Sequence, residues 1–499
     1  MAPVTNARAR SARRFAVLLL ALAPLRVIAA DAGWFEAGDS LLRLDLQLLN
    51  DAGVVRVPIQ QWPIPRAAVA YALSHAKEQS AGNVAVAAAL ARVRARLESR
   101  PRLGFAATAS AGEAGRVRDF DTLAREDAEL GGRVDYAQGR FAAGLSVTGA
   151  LDPDDGQELR ADGSHLTAQL GNWLISANTL DRWWGPGHQG SLILSNNARP
   201  MPTFTIERAE ARAFEMPLLS WLGPWRFNFA ISQMEDHRAD VDSPLFMAWR
   251  VTVMPFHDIE LGFSRTAQFC GEGLECNLDV FGNLLAGNDN VGIDATEGNE
   301  PGNQMAGFDL RWNSPIGTLP YAIYSQYIGE DESSYLPAKY LSQFGLEVWK
   351  PLGDGGIVQA YVEYSNTTCS AHTSRGPYYQ CAYIQGRFDE DGYRYRGRVI
   401  GHSIEADGDT YALGVSYTTP RGDLWTATAR TAEINVANDS RNRLSPVPAD
   451  YDALEFGWRG TWSGESLAVE LGVESFEPVG VDRDVSAFGF VRWNHSFTP

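Results

Sequence analysis

The chain has 499 residues, too many for one ordinary globular core, and its length alone would predict about three domains. The net charge of −18 argues against capture of nucleic acid or another polyanion by bulk charge. After the N-terminal region, no stretch offers about 18 apolar residues without a charge, which excludes a bundle of membrane-spanning helices. The 48 Gly and 53 aromatic residues (14 Trp, 17 Tyr and 22 Phe) favour many short strands and turns over helices.

Residues 1–32 are predicted to be a secretory signal peptide. Four Arg between residues 8 and 14 precede the apolar stretch from Phe15 to Pro24, and Ala30-Asp31-Ala32 offers a cleavage site. A short membrane anchor is the alternative, although about ten apolar residues are too few to span a bilayer. Removing this segment, which carries five Arg and one Asp, would change the net charge from −18 to −22.

Residues 33–102 are predicted to form three amphipathic helices, as a small bundle or as a plug docked on something larger. Asp39 can cap the first helix, and Gly53 suits its C-terminal stop. Pro65 is suited to the first position of a second helix. A third helix should begin near Asn83, because apolar residues then recur at helical spacing, and it should end before Pro101.

From residue 103 onward the hydrophobic period changes from 3.6 to 2, which is typical of strands. Within 358–364 and 467–474, for example, the apolar side chains alternate with Glu363, Glu470 and Glu474. About 18 such stretches occur, each roughly ten residues long, with Tyr or Trp near many ends. The pattern predicts an all-β, antiparallel transmembrane barrel over residues 103–499.

A soluble sandwich or propeller also uses alternating strands, but two features favour the barrel. One connection is very short, near 253–259, whereas others are very long: 180–202, 267–304, 366–408 and 434–450. Short turns at one end and long loops at the other are typical of outer-membrane barrels. In addition, Val491, Trp493 and Phe497 share one face of a final strand, as in the signal read by the barrel-insertion machinery. The sequence therefore predicts location in the outer membrane of a Gram-negative bacterium.

The four Cys form two local pairs, Cys270 with Cys276 and Cys369 with Cys381. Three connectivities are possible, and an oxidising compartment favours the local one, in which each disulfide staples one long loop. A metal site is the alternative, but neither spacing is CxxC and no His lies at finger-like spacing. We predict two disulfides, no metal and no other cofactor.

An acidic segment from Gly287 to Gly302 could hold a cation in a long loop. It contains Asp289, Asp294, Glu297 and Glu300 among Gly and Asn. The spacing does not fit the DxDxDG pattern of a calcium loop, so a solvated acidic loop is the simpler interpretation.

Motifs of known enzyme classes are missing from the sequence: it has no GxSxG, no Gly-rich phosphate loop and no HExxH. His188 lies three residues from Ser191, and His257 is adjacent to Asp258, but neither pair makes a recognisable triad. We therefore predict that the protein is not an enzyme. A hydrolase with a Ser-His or Asp-His pair assembled by the fold is the weakest alternative.

The most distinctive segment is 181–200, in which two adjacent Trp lie among Gly, Pro, Asn and Arg. Trp183 and Trp184 could cover the apolar faces of pyranose rings. Arg182, Asn197 and Arg199 could hydrogen-bond sugar hydroxyls or a uronate carboxylate. These five are the predicted polysaccharide-binding residues. In the architectural alternative, the Trp anchor the barrel at the membrane interface and the polar groups bond inside its lumen.

Three segments also carry a resemblance to a known family. They are Gly38-Asp39 with Leu44-Asp45-Leu46-Gln47-Leu48-Leu49 and Asp51-Ala52-Gly53; Trp62-Pro63-Ile64-Pro65; and RWWGPGHQGSLILSNNARPMP at 182–202, followed by Arg208. They resemble the Wzi-type capsule assembly proteins of the Gram-negative outer membrane, and the layout agrees over essentially the whole mature chain. The resemblance implies an 18-stranded barrel closed on the periplasmic side by the N-terminal helices. It also implies a lectin-like role without catalysis.

The function predicted from these observations is attachment of capsular polysaccharide or exopolysaccharide to the cell surface. Retention would come from many weak contacts along one polymer. The other expected contacts are outer-membrane lipid and lipopolysaccharide, with no nucleic acid, and the protein is expected to be a monomer. The main alternative is a porin or substrate-specific channel, because an 18-stranded barrel can enclose an aqueous lumen that Glu363, Glu470 and Glu474 could line.

Overall fold

The computed structural model describes residues 32–497 with several gaps. The gaps are 78–82, 99–102, 122–124, 287–302, 315–319, 330–331, 334–335, 338, 372–376, 385–387 and 389. All but the last residue of the predicted signal peptide, and the whole acidic segment with Asp289, Asp294, Glu297 and Glu300, lie outside the described residues.

The three helices predicted in the N-terminal region are present: α1 (Ser40–Asp51), α2 (Arg66–Ser74) and α3 (Val84–Glu98). Asp39 caps α1 by accepting a hydrogen bond from the Leu42 amide at 3.1 Å. Gly53 follows the helix in the left-handed region that a C-terminal stop requires. The prediction for Pro65 was wrong by one residue, because Pro65 is the N-cap of α2 and Arg66 is the first residue of the helix.

Charged side chains join these helices to one another. Arg92 of α3 holds Asp45 of α1 through two hydrogen bonds, of 2.9 and 2.6 Å. Arg66, at the start of α2, donates to the carbonyl oxygens of Arg96 and Leu97 in the last turn of α3. Because these carbonyls have no partner within their own helix, the Arg66 guanidinium completes the end of α3.

Within the described residues, eighteen strands of six to fifteen residues close into one antiparallel barrel. In chain order they are β1 (Leu103–Glu113), β2 (Ala128–Gln138), β3 (Phe141–Leu151), β4 (His165–Leu170), β5 (Trp173–Asn178), β6 (Thr203–Arg208), β7 (Trp225–Gln233), β8 (Leu245–Phe256), β9 (Ile259–Phe269), β10 (Gln304–Asn313), β11 (Tyr321–Gly329), β12 (Tyr340–Pro351), β13 (Ile357–Ala371), β14 (Asp409–Thr418), β15 (Leu424–Ile434), β16 (Ala449–Trp462), β17 (Glu465–Pro478) and β18 (Asp484–Phe497). The barrel closes where β18 pairs with β1, with Phe497 opposite Phe105. The predicted 18-stranded barrel is confirmed.

The described residues also contain several shorter elements. A two-residue strand, Leu159–Arg160, pairs with β3 at the rim, α4 spans Leu278–Ala286, and a single 3-10 turn spans Ser220–Leu222. Four small ladders pair Trp34–Phe35 with Ile64–Pro65, Gln61–Trp62 with Trp183–Trp184, Glu332–Ser333 with Leu336–Pro337, and Arg394–Tyr395 with Arg398–Val399. None of the described helices is both long and apolar enough to cross a membrane.

The barrel wall is apolar outside and polar inside, as the period-2 pattern predicted. On β17, Leu471 and Val473 are exposed, whereas Glu474 is buried. On β13, Val362 is exposed while Gln359 and Glu363 are buried. Each strand therefore presents a lipid-compatible face and a face that bonds with the contents of the lumen.

The two ends of the barrel differ in the length of their connections. At one end the connections are short, at 139–140, 171–172, 257–258, 314–320, 352–356, 419–423 and 463–464, with 209–224 as a longer exception. At the other end the connections include 179–202, 270–303, 372–408 and 435–448. This second end is called the long-loop end below. Both predicted disulfides are formed at that end: Cys270–Cys276 lies within one connection, and Cys369–Cys381 joins the end of β13 to the connection that follows it.

The lumen is filled from both sides. Helix α1 binds the wall directly, because Arg311 of β10 holds Asp51 with hydrogen bonds of 2.7 and 2.8 Å. Glu260 of β9 accepts the backbone N–H groups of Ile59 and Gln60, which lie in the connection between α1 and α2. From the long-loop end, segment 184–201 and the described parts of segment 381–406 enter and form one apolar core with the inner wall.

Candidate functional site

The Trp-rich segment 179–202 forms part of the plug. Trp183 and Trp184 are each only 1 % exposed. Trp183 pairs with Trp62 in a short antiparallel ladder, and its ring meets the ring of Phe120 edge-on at 5.2 Å. Trp184 lies in the core formed with segment 381–406. The two indoles therefore do not present open faces on which a sugar ring could stack at the surface, which differs from the arrangement expected from sequence.

The three polar residues of the predicted set lie in different surroundings. Arg182 donates to Asn178 Oδ1 at 2.8 Å and to the Leu180 carbonyl at 3.0 Å, and burial lowers its pKa to about 10. Asn197 donates to the Val399 carbonyl at 2.9 Å and so joins segment 179–202 to segment 377–408. Within the predicted set, only Asn197 also lines the polar cleft at the long-loop end.

Arg199 fixes the connection between β3 and β4 against segment 179–202. Its guanidinium binds both oxygens of Asp162, at 2.8 and 2.9 Å, and Asp155 at 2.6 Å. Burial opposes its charge, but the hydrogen bonds and charges of Asp162 and Asp155 raise the pKa of Arg199 above its ordinary value. With its donors engaged in this way, Arg199 stabilises the loops around the cleft.

His188, considered above as part of a hydrolase, lies in the lumen and is held by carboxylates. Its Nε2 is 2.7 Å from Glu347 Oε1, and its ring stacks on Tyr361 with centroids 4.2 Å apart. Ser191 instead donates its hydroxyl to the Trp184 carbonyl at 2.5 Å. His257 is exposed at a turn, 3.6 Å from Asp258. Neither His is hydrogen-bonded to a nucleophile, so these residues assemble no triad.

A polar cleft of about 560 Å³ opens at the long-loop end, within the range of about 300–1,000 Å³ common for ligand sites. Five connections contribute to its walls, those between β1 and β2, β3 and β4, β5 and β6, β13 and β14, and β15 and β16. Its charged and amide side chains are Glu113, Arg116, Arg125, Glu126, Asp127, Asp152, Asp154, Asn197, Arg396, Arg398, Glu405 and Arg443. Such a mixture of donors and acceptors suits sugar hydroxyls and acidic groups.

Buried ion pairs hold the floor of the cleft, whereas exposed ones form its rim. Glu126 is held by buried Arg160, and Glu405 by buried Arg394, each with direct hydrogen bonds. At the rim, Arg398 lies 3.2 Å from Asp154, whose side chain is 75 % exposed. A ligand could therefore compete for the rim charges without dismantling the floor.

Sequence reasoning missed this cleft except for Asn197. Its charged residues come from β1 and from four connections that are far apart in the sequence, and no local motif marks them. The described residues contain no cluster of three or more His, Cys, Asp or Glu able to hold a metal ion.

A closed 18-stranded barrel, a filled lumen and a polar cleft at the long-loop end define the class of protein: a plugged β-barrel of the outer membrane. The family model for capsule assembly protein Wzi matches residues 98–487. The chain therefore belongs to the Wzi capsule assembly family, as its resemblance implied.

Two similar proteins give the extent of the likeness. A 55.8 kDa protein in the cps region of Klebsiella pneumoniae is 32% identical over 452 residues, covering 90% of this chain and 86% of that protein. The solved structure of Escherichia coli Wzi aligns with a TM-score of 0.80 and 26% identity, over 94% of this chain and 100% of that chain. That protein is described as an outer-membrane, carbohydrate-binding β-barrel involved in group 1 capsule assembly.

Proposed function

We propose that this protein attaches capsular polysaccharide or exopolysaccharide to the outer surface of the cell by binding it, without catalysis, in the polar cleft. The observation that carries the proposal is a cleft of about 560 Å³ with many donors and acceptors, above a lumen closed by packed side chains. The carbohydrate binding described for Escherichia coli Wzi supports the same assignment.

In this proposal the long-loop end faces the medium, and residues 33–102 close the barrel at its periplasmic end. Residues 1–32 serve as the signal peptide, and the monomeric barrel is surrounded by lipid and lipopolysaccharide. The filled lumen argues against the channel alternative, since Glu363 accepts hydrogen bonds from the backbone N–H groups of His188 and Gln189 instead of lining water.

The five residues predicted from sequence take different parts in the proposed site. Asn197 contacts the polymer, because it lines the cleft. Arg199 holds the loop that carries Asp154 and Asp155. Arg182, Trp183 and Trp184 act through the packing of segment 179–202, so their replacement would disturb binding indirectly.

The rim pair Asp154 and Arg398 offers a direct test. Exposed ion pairs contribute only about 0–1 kcal/mol to stability, so Asp154→Ala/Arg398→Ala should leave the barrel folded. We expect purified variant protein to bind the host's own surface polysaccharide about tenfold more weakly, as the loss of one or two hydrogen bonds predicts. Glu477→Ala/Arg483→Ala removes another exposed pair, 2.6 Å apart and outside the cleft, and should bind normally.

The same variants can be tested in cells that lack the chromosomal gene. Deletion should release polymer into the medium while its total synthesis is unchanged, and wild type or the Glu477/Arg483 variant should restore attachment. Unchanged attachment after deletion, or equal binding by the cleft variant and wild type, would contradict the proposal.

A further inference from the structure

Arg118 lies between β1 and β2, on the connection that forms one wall of the cleft. The residue is 5 % exposed. Its carbonyl oxygen accepts a hydrogen bond from Ser403 Oγ, and Ser403 itself lines the cleft. The charges that act most strongly on its guanidinium include those of Arg125 and Arg398, two further lining residues. Arg118 therefore lies beside the cleft.

The Arg118 guanidinium has no hydrogen-bond acceptor and no ion-pair partner among the described residues. The nearby carboxylates are already engaged, since Asp181 binds Arg125 at 2.6 Å and Glu126 is held by Arg160. Burial, and then the positive charges of Arg125 and Arg398, lower the pKa of Arg118 well below its ordinary value. An isolated buried cation is costly, and an anion that binds beside it removes that cost.

The other buried Arg among the described residues each have a hydrogen-bond acceptor, and Arg43, for example, donates to the carbonyl oxygens of Pro186 and Gly187. Arg250 and Asp309 lie 2.6 Å apart with both side chains fully buried, and Arg394 binds both oxygens of Glu405. A buried Arg whose guanidinium has no acceptor among the described residues therefore differs from the other buried Arg. It occurs beside a cleft large enough for a sugar residue.

From this geometry we infer that Arg118 forms the floor of an anion subsite that takes the carboxylate of an acidic sugar in the bound polymer. A guanidinium presents parallel N–H donors that match a carboxylate in a two-point hydrogen-bonded pair. The net charge of −18 would repel an acidic polymer at long range, so a local cation is needed to hold it. The inference rests on the proposed function and adds the chemical class of the ligand.

The first experiment uses wild-type protein and the host's surface polysaccharide in two forms, native and with its carboxyl groups reduced to alcohols. We expect the reduced polymer to bind about tenfold more weakly, the value expected for losing hydrogen bonds to a charged group. Equal binding of both forms, or a native polymer without carboxylates, would overturn the inference but leave the proposed function intact. Failure of wild type to bind either form would overturn the proposed function itself.

The second experiment assigns the effect to Arg118. Arg118→Gln should bind native polymer about tenfold more weakly yet bind reduced polymer as wild type does, and Arg118→Lys should recover part of the difference. Arg483→Gln, which removes an exposed Arg outside the cleft, is the matched control. An equal loss of binding to both polymers in Arg118→Gln would identify Arg118 as a structural residue and overturn the inference.

Thermal unfolding without polymer separates an anion subsite from a structural role, because the two predict opposite changes in the midpoint of unfolding of Arg118→Gln. Because Arg118→Gln removes an uncompensated buried charge, the midpoint of unfolding should rise by a few degrees. Native polymer should then stabilise wild type more than the variant, since it neutralises the charge only in wild type. A lower midpoint for Arg118→Gln in the absence of polymer would contradict the inference.

Discussion

The lumen and the cleft use the same residue types, Arg with Asp or Glu, in opposite ways. In the lumen, Arg311 binds both Asp51 and Glu347, and Glu347 also binds His188, so the charged groups form one connected network. Beside the cleft, the Arg118 guanidinium has no partner among the described residues, and at the rim Arg398 binds an exposed Asp154. Charged side chains that are fully paired hold the plug in position. Arg side chains that keep unpaired N–H donors are the ones able to bind a ligand.

The largest effect should follow from removing Arg311, because this residue joins α1 to the wall of the barrel. Arg311→Met leaves Asp51 and Glu347 buried without their cation, a loss of about 3–5 kcal/mol for this kind of site. We expect α1 to leave the wall and the barrel to conduct ions in a planar bilayer. Arg483→Met, at an exposed pair, should remain closed. A barrel that stays closed without Arg311 would show that apolar packing alone retains the plug.

The two disulfides allow a matched comparison, in which the expected free-energy cost is smaller than that of removing Arg311. Cys369–Cys381 closes a loop of 12 residues next to the segment that supplies Arg396, Arg398, Ser403 and Glu405 to the cleft. Its removal by Cys369→Ala/Cys381→Ala should cost roughly 3 kcal/mol of loop order and weaken polymer binding.

The control for that prediction is Cys270→Ala/Cys276→Ala. The described part of the connection that this disulfide staples contributes no side chain to the cleft, so binding should be unchanged. Binding assays on both variants, with barrel folding checked by gel migration before and after heating, make the comparison. Equal losses of binding would mean that the cleft does not depend on segment 377–408 in particular.

The smallest effect concerns pH and Asp407, at the end of the connection between β13 and β14. Burial raises the pKa of Asp407 to about 6, although a hydrogen bond from the Gln380 backbone N–H opposes the shift. Since the folded pKa lies above the unfolded one, this carboxyl destabilises the fold fully above pH 6, and the penalty disappears as pH falls towards 4.

Asp407→Asn should therefore stabilise the connection by roughly 2 kcal/mol at pH 7.5 and by little at pH 4.5. Hydrogen exchange of residues 377–384 measures this directly. Asp482→Asn, at an exposed carboxyl outside the cleft, should change nothing at either pH. The same protection for wild type and Asp407→Asn at pH 7.5 would contradict the expected penalty.

Local physical rules predicted the parts of the fold that depend on local sequence. The Asp39 cap, the Gly53 stop and the alternation around Glu363 and Glu474 each need only a few neighbouring residues. The long and short connections also indicated which end of the barrel carries the loops. The count of 18 strands relied on the family resemblance, because single alternating stretches are weak signals.

The candidate site could not be read from the sequence in the same way. Trp183 looked like an exposed stacking surface, but it pairs with Trp62, which lies 121 residues earlier. The cleft brings Arg116, Asp154 and Arg443 together only after the barrel has closed. Whether Arg118 has a carboxylate partner depends on which carboxylates already bind neighbouring Arg side chains, and only the three-dimensional structure shows this.

The seam between β1 and β18 has a consequence for the order of assembly. The lumen holds chain from before the first strand, from 179–202 and from 377–408, and it is packed too tightly for these segments to thread in afterwards. They must be gathered while the sheet is still open, and an open sheet edge in lipid leaves unpaired backbone groups. β18 follows the other described strands in the chain and pairs with β1, so its pairing closes the wall around the segments already in the lumen. Losing β18 would therefore prevent completion of the interior as well as the wall.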